Sequence, residues 1–574
     1  MSDKHLQNSL APLLITLIWL AASLLPTLPA QANPSARTVA TTAELNAALR
    51  QAEPGDTISL MPGDYVPSRR TIRTHGEPER PITVQAAVPG TARLWSSHVT
   101  LFKLYGAHWH FRDLDFQGNS NTKHALHIVR DADDIVLEGN RFQNFHAAIK
   151  ANGEGQPRAF PDNVRIHRNV FTNDKPRRTK ESVVAIDVVG GRNWKITENF
   201  ISDIGYHPDR RGANTSTAFV KGGAYGATFD RNVVICQWRH TGGYRVGMSL
   251  GGGGTGDAYF DRRGMEQCRQ NCPEVRSSQM INNIILNCPN SPGIYLNRAQ
   301  DSLVANNTIY DAYGIVARFP ETSARIYNNL MTGRIWARDG SEVESAGNLS
   351  SGWVGLGNYI PSVRRRLHAP VPEGEPRFSA SIDKFLYWAA SRRHDVIDWL
   401  GATRLGKGTK AYENWLAAPS FGDLALTEPN KVIAEGSTSL VLDRDYCGQP
   451  RTPPGDIGAI EYSAGGCALQ EILTNRHGEL FTSIGDPRRK QPRTPEPARQ
   501  LTPVDDQLLT PDRLLRADPE DYREKVAELR PGDRLELAPG NYKHGLDLRG
   551  LQLLVRGVRR PNRPNLSRAE AKIP

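Results

Sequence analysis

Beyond residue 32 the sequence has no long apolar run, so nothing there reads as a membrane-spanning helix. The glycine run Gly251–Gly254 is followed by no Gly-Lys-Ser/Thr and no helical pattern, which excludes a phosphate loop. A sharp turn or a close backbone approach is the expected use of those glycines. Cys268 and Cys272 have no histidine pair nearby at ligand spacing, which argues against zinc. Long helices are also scarce: 51 glycines and 39 prolines in 574 residues imply many turns between short elements.

What is present starts with an export signal. An apolar run from Leu10 to Leu25 leads to Ala30-Gln31-Ala32, a small-x-small cleavage pattern, so residues 1–32 are expected to be a signal peptide. Six cysteines agree with an oxidising compartment, periplasmic or extracellular. Proximity pairs Cys447 with Cys467 and leaves Cys236, Cys268, Cys272 and Cys288 around one loop. The formal net charge of +10 suits a polyanionic partner.

The middle of the chain repeats. Short alternating strands end in an asparagine turn followed by an apolar pair, at Asn140, Asn169, Asn199, Asn232, Asn283, Asn307 and Asn329. Successive asparagines are 29, 30, 33, 51, 24 and 22 residues apart, the mark of a solenoid with loop insertions. Period-two strands bounded by Asn and Gly make it β rather than α. The expected fold is a right-handed parallel β-helix over residues 36–465, with the asparagines stacked from coil to coil. Thr41 and Glu44 are spaced as a capping box for a helix covering the open end of the stack.

Two insertions interrupt the period, around 204–217 and 251–278, and should shape a groove. A helical segment is expected near 380–416 and a Pro/Arg-rich linker over 466–511. Residues 531–542 match 54–65 at 7 of 12 positions, so 512–574 reads as the truncated opening of a second β-helix.

Alternation also picks out outward positions. If Ile186 and Val188 point in, Asp187 points out, and the same reasoning exposes Lys221, Ser249, Tyr295, Asn297 and Arg318. Arg245 and Arg298 fall at the edges of this stripe, with His240 in a neighbouring loop. Such a stripe suits β-elimination of a uronate. The carboxylate must be neutralised so that the C5 proton becomes acidic, and a base then removes it. Lys221 with Arg245 is the expected base–neutraliser pair and Tyr295 a third catalytic group. Asp187, Arg298, Arg318 and His240 are expected to bind substrate. Hydrolysis on this fold needs paired carboxylates, and the stripe holds no clear pair. The epimerase box Asp-Pro-His-Asp is absent, His207-Pro208-Asp209 being a partial echo.

The capping helix, Gly55-Asp56-Thr57-Ile58, Pro62-Gly63-Asp64-Tyr65 and Arg80-Pro81-Ile82-Thr83 resemble the start of the chondroitinase B and alginate lyase family. The resemblance implies a right-handed parallel β-helix that cleaves acidic polysaccharides by β-elimination. It implies a lysine base, matched by Lys221 in Val220-Lys221-Gly222, and a neutralising arginine on the following coil, matched by Arg245. The resemblance implies calcium, but the family's calcium-binding glutamates are replaced by Asn214 and Ser216, which leaves Asp187 as the one nearby carboxylate and no cofactor assigned. The expected partner is an acidic polysaccharide, not nucleic acid, met by a monomer. A non-catalytic carbohydrate-binding or envelope β-helix is the alternative.

Overall fold

The computed structural model describes residues 35–68, 70–179, 182–207, 215–240, 245–288, 291–350, 416–418, 423–426, 432–462, 513–528 and 534–538. The chain divides into two compact units, 1–489 and 490–574.

In the first unit three parallel sheets of twelve, ten and eleven strands run side by side. Each coil contributes one strand to each sheet, which is a right-handed parallel β-helix as the repeat predicts. The ten-stranded sheet carries the candidate site. Its strands are β1 (Thr71–Ile72), β2 (Thr100–Leu104), β3 (His124–Val129), β4 (Ala147–Asn152), β5 (Val184–Val189), β6 (Thr215–Lys221), β7 (Arg245–Leu250), β8 (Ile294–Asn297), β9 (Gly314–Arg318) and β10 (Arg334–Arg338).

Side-chain alternation explains why these segments coil. Ile186, Ala218, Met248, Ile294 and Ile315 lie in one inward row and Val188, Val220, Leu250, Leu296 and Ala317 in the next, all fully buried. A one-residue slip would turn both rows to solvent, so the register is fixed by burial.

The asparagine turns stack as expected. Asn140, Asn169, Asn199, Asn232, Asn283, Asn307 and Asn329 each donate their amide to the next asparagine's Oδ1, and Asn348 extends the ladder by one more coil. The preceding residue takes a left-handed φ at Arg168, Glu198, Arg231, Asn282, Asn306 and Asn328, which turns the corner. Beside the ladder Phe116, Phe142 and Phe171 stack with ring centroids 4.8 Å apart.

The N-terminal cap is helix α1 (Thr42–Arg50). Thr41 accepts from the Glu44 amide, which is half of a capping box, and Glu44 reaches one residue past the N-cap to the Ala40 amide. Leu45, Ala48 and Leu49 seal the core beneath it.

Residues 432–462 return along the outside of the eleven-stranded sheet. There Val170, Phe200, Val233, Ile284 and Leu330 point outward and are covered by Val432, Tyr446, Ile457, Ala459 and Ile460 in a second apolar cluster. Buried Arg451 pins this strap, donating to Asn282 Oδ1, to the Gly458 and Ala459 carbonyls, and to Glu461.

Cys236 bonds to Cys288, bracketing the larger insertion in sequence, and Cys268 bonds to Cys272 within it. Cys447 is disulfide-bonded too. Cys467, residues 1–32, the linker 466–511 and nearly all of the helical segment at 380–416 lie outside the described residues. At that segment's end Leu416–Ala418 is a strand, paired antiparallel with Asp423–Leu426. Among the described residues no helix is long and apolar enough to cross a membrane.

The second unit opens with a strand, Leu514–Ala517, a short helix, Tyr522–Ala527, and a strand, Arg534–Leu537, parallel to the first. That order repeats the opening of the first unit, where Ala36–Val39, α1 and Thr57–Leu60 stand in the same relation.

Candidate active site

Register defines two outward columns on the ten-stranded sheet. One runs Lys103, His127, Lys150, Asp187, Phe219, Ser249, Tyr295, Val316, Trp336. The other contains Asn152, Val189 and Lys221 and continues through Asn297, Arg318 and Arg338. Between Lys221 and Asn297 the backbone of Gly251 fills the second column.

The coil bearing β7 therefore places only small residues, Gly247, Ser249 and Gly251, at its outward positions, and all three are buried. Below it stand Phe219 and Lys221, above it Tyr295 and Asn297. The result is a notch one coil wide in the side-chain columns, floored by buried residues and bridged by Gly252 and Gly253 of the insertion, with Lys221 and Tyr295 on either side two rungs apart, roughly 10 Å between backbones. Gly251 is required here: its φ is +77°, and a Cβ would collide with the Asn297 carbonyl. This is the close backbone approach expected of the glycine run.

Lys221 is half-buried. Its Nζ donates to the Gly253 carbonyl at 3.2 Å and lies 4.9 Å from the Phe219 ring centroid. Burial pushes its pKa below the ordinary lysine value, Lys150 adds to that, and Asp187 and Glu274 oppose it. Glu274 accepts from the Gly222 amide and the Thr255 hydroxyl, which fastens the insertion beside the lysine. Asp187 is engaged by Lys150 at 2.8 Å.

On the opposite wall the Tyr295 hydroxyl accepts from Asn297 Nδ2 at 3.1 Å and interacts electrostatically with the nearby Arg318 guanidinium. Arg318 is held by Asp339 at 2.5 Å and packs over Phe319. Arg298 stacks on the other side of this corner, 4.6 Å from the Phe319 centroid, with Glu321 at 3.3 Å and Asn271 of the insertion at 3.2 Å.

Asp187, Lys221, Tyr295 and Arg318 thus share one face, with Arg298 at its edge. Arg245 and His240 do not join them. Arg245 opens β7 opposite Thr215, six residues from the position level with Lys221, which is roughly 20 Å along the strand. It is 2 % exposed and donates to the Cys236 and His240 carbonyls. The expected Lys221–Arg245 pair is not formed, because β7 runs five residues past Arg245 before reaching the site. His240 sits at that far end, its amide on Asp203, its pKa lowered chiefly by burial.

Several groups on the face escaped the sequence reading. Lys150 follows from the same alternation that exposed Asp187, in Ala148-Ile149-Lys150-Ala151. Lys103, paired with Glu154 at 2.8 Å, and His127, bonded to Asn152, extend the polar column away from the notch. Glu274 lies in an irregular insertion, where no period marks it.

The family resemblance brings calcium into question, and the donors do not fit it. Asn214 is outside the described residues, Ser216 is a lone hydroxyl, and Asp187 and Glu274 are committed as above. Among the described residues no three His, Cys, Asp or Glu side chains converge. No step below is routed through a metal.

The sequence profile of Chondroitinase B matches residues 39–233, a span containing Asp187 and Lys221 but not Tyr295 or Arg318. No curated protein matches the chain. Among solved structures, pectate lyase Pel9A is 12 % identical with TM-score 0.42, covering 75 % of this chain and 98 % of its own. A PL6 family polysaccharide lyase from Pseudopedobacter saltans is 14 % identical with TM-score 0.32, covering 60 % and 97 %. The PL6 family alginate lyase AlyGC is 15 % identical with TM-score 0.29, covering 55 % and 51 %. Over its N-terminal coils, up to and including Lys221, this chain resembles the chondroitinase B and alginate lyase family.

Proposed function

We propose that the chain is an exported polysaccharide lyase that cleaves a uronate-containing polymer by β-elimination in the Ser249–Gly251 notch. The observation that carries this reading is Lys221: a half-buried amine beside the notch whose pKa burial lowers, which favours the neutral, proton-accepting form relative to an ordinary lysine. Lys221 removes the C5 proton. Lys150 and Arg318, on either side along the columns, supply the positive field that stabilises charge developing on the uronate carboxylate. Both are long cations on the groove face, the role that Arg245 cannot fill from its buried position.

The disulfides suit an oxidising compartment, hence periplasmic or extracellular action. The test is to incubate the protein with alginate, chondroitin and pectate and follow the ultraviolet absorbance of unsaturated ends. Cleavage of one polymer that disappears in Lys221→Ala supports the reading; a fully active Lys221→Ala overturns it. The Lys150–Asp187 ion pair, which leaves Lys150 already engaged, favours a second reading as a carbohydrate-binding β-helix. That reading expects polymer binding without unsaturated product.

A further inference from the structure

Tyr295 and Asn297 project from one strand, β8, across the notch from Lys221. A phenolic oxygen has two acceptor sites and one proton to give. Here Asn297 Nδ2 donates to it at 3.1 Å, and the Arg318 guanidinium lies near enough to interact with it electrostatically. With Asn297 Nδ2 occupying an acceptor site and a cation on the same side, the hydroxyl is set to offer the notch its proton. Asn297 is itself 6 % exposed, and its Oδ1 has no hydrogen-bond partner among the described residues. That oxygen lies beside Gly253, the residue whose carbonyl receives Lys221 Nζ. A buried acceptor left unpaired costs on the order of 1–3 kcal/mol, so an oxygen held in this position is suited to a hydroxyl of a bound sugar.

We infer that Tyr295 is the proton donor to the departing glycosidic oxygen, and that Asn297 and Arg318 are the positioning residues that aim it. The inference rests on the lyase reading above and divides the two proton transfers between the two walls. The neutral Lys221 amine takes the C5 proton and becomes an ammonium. The C5–H electron pair forms the C4–C5 double bond, the C4–O4 bond breaks with its pair on O4, and O4 receives the Tyr295 proton. The phenolate, stabilised by Arg318 and Asn297, regains a proton from solvent as Lys221 loses one, and no other reactant is needed. Asn297 Oδ1 meanwhile accepts a hydroxyl of the sugar in the notch.

The experiment compares two substrates. One is whichever of alginate, chondroitin and pectate the wild-type protein cleaves. The other is a hexuronate carrying 4-nitrophenoxide at C4, a leaving group that departs without protonation. Tyr295→Phe is expected to lose at least about 100-fold in kcat on the polymer, the usual contribution of a general acid, and to approach wild type on the nitrophenyl compound. Asn297→Ala is expected to lower kcat on the polymer and raise KM, with the nitrophenyl substrate again restoring most of kcat.

If Tyr295→Phe stays within about threefold of wild type on the polymer while Lys221→Ala is inactive, the proton-donor role fails and the lyase reading stands. An equal loss on both substrates also overturns it, since protonation of the leaving oxygen is then not what the hydroxyl supplies. If the wild-type protein cleaves neither substrate, both readings fall. Thermal unfolding of each variant within a few degrees of wild type separates these outcomes from misfolding.

Discussion

Lys221 and Tyr295 flank a single coil whose residues in the outward columns, Ser249 and Gly251, are small and buried, and Gly253 bridges the gap, its carbonyl on Lys221 Nζ and its backbone beside the Asn297 side chain. The notch comes from what β7 omits as much as from what its neighbours supply. A larger residue at Ser249 should therefore abolish function by displacing Phe219 and Tyr295, the residues level with it on the neighbouring coils. Ser249 is 1 % exposed, and its hydroxyl bonds the Gly251 and Tyr295 carbonyls. Ser249→Leu should remove polymer cleavage and binding together while circular dichroism still reports the β-helix.

Gly251→Ala tests the same wall through the backbone. A left-handed residue whose Cβ meets the Asn297 carbonyl should lose about 2 kcal/mol, read as a lower denaturant midpoint. Displacing Asn297 should reduce turnover more than affinity, which separates this variant from Ser249→Leu.

The pH dependence of stability follows from Lys221. Its folded pKa is lowered, so at low pH the folded state carries a buried charge that the unfolded state carries in water. The resulting penalty is fully present below the folded pKa and fades as pH rises from there toward the ordinary lysine value, so stability rises across that window. Lys221→Met should be more stable than wild type at neutral pH and lack this rise. Urea titrations between pH 7 and pH 10 check it; a variant less stable than wild type at neutral pH would contradict the burial argument. Activity should climb with pH over the same range as the amine loses its proton.

The asparagine ladder should be costly to interrupt. Asn232 is fully buried, donates to Asn283 Oδ1 and the Ile196 carbonyl, and accepts from Asn199. Asn232→Ala orphans groups on two coils and should cost at least about 3 kcal/mol in a denaturant melt.

Arg451 should hold the outer strap. Replacing it with methionine leaves Glu461 and the Asn282 oxygen without this cation and should cost about 3–5 kcal/mol. Limited proteolysis should then cut within 432–462 well before the coils are attacked.

The β-helix could be read from sequence because its causes are local and periodic. A strand buried on one face alternates, and a corner that stacks needs the same residue on each coil, as Asn140 through Asn329 provide. The site was legible where it inherits that period: Asp187, Lys221, Tyr295 and Arg318 were placed by alternation alone. Arg245 was misplaced because counting from Lys221 fixes the coil but not the position along a strand. β7 begins at Arg245, six residues before the notch. Glu274 and the fastening of the insertion went unseen because irregular loops carry no period. The strap over Val233 and Ile284 was hidden by its separation in sequence from the coils it covers.

The Cys236–Cys288 disulfide ties neighbouring coils with Cα atoms 5.0 Å apart at the Arg245 end of β7, the opposite end of that strand from where residues 251–278 leave. Such a clasp separates the anchoring of the coils from the length of whatever leaves between them. The insertion can then act as an interchangeable cassette. A longer, shorter or differently charged one could be spliced between Gly251 and Glu274, retuning what enters the groove while β6, β7 and β8 stay in register.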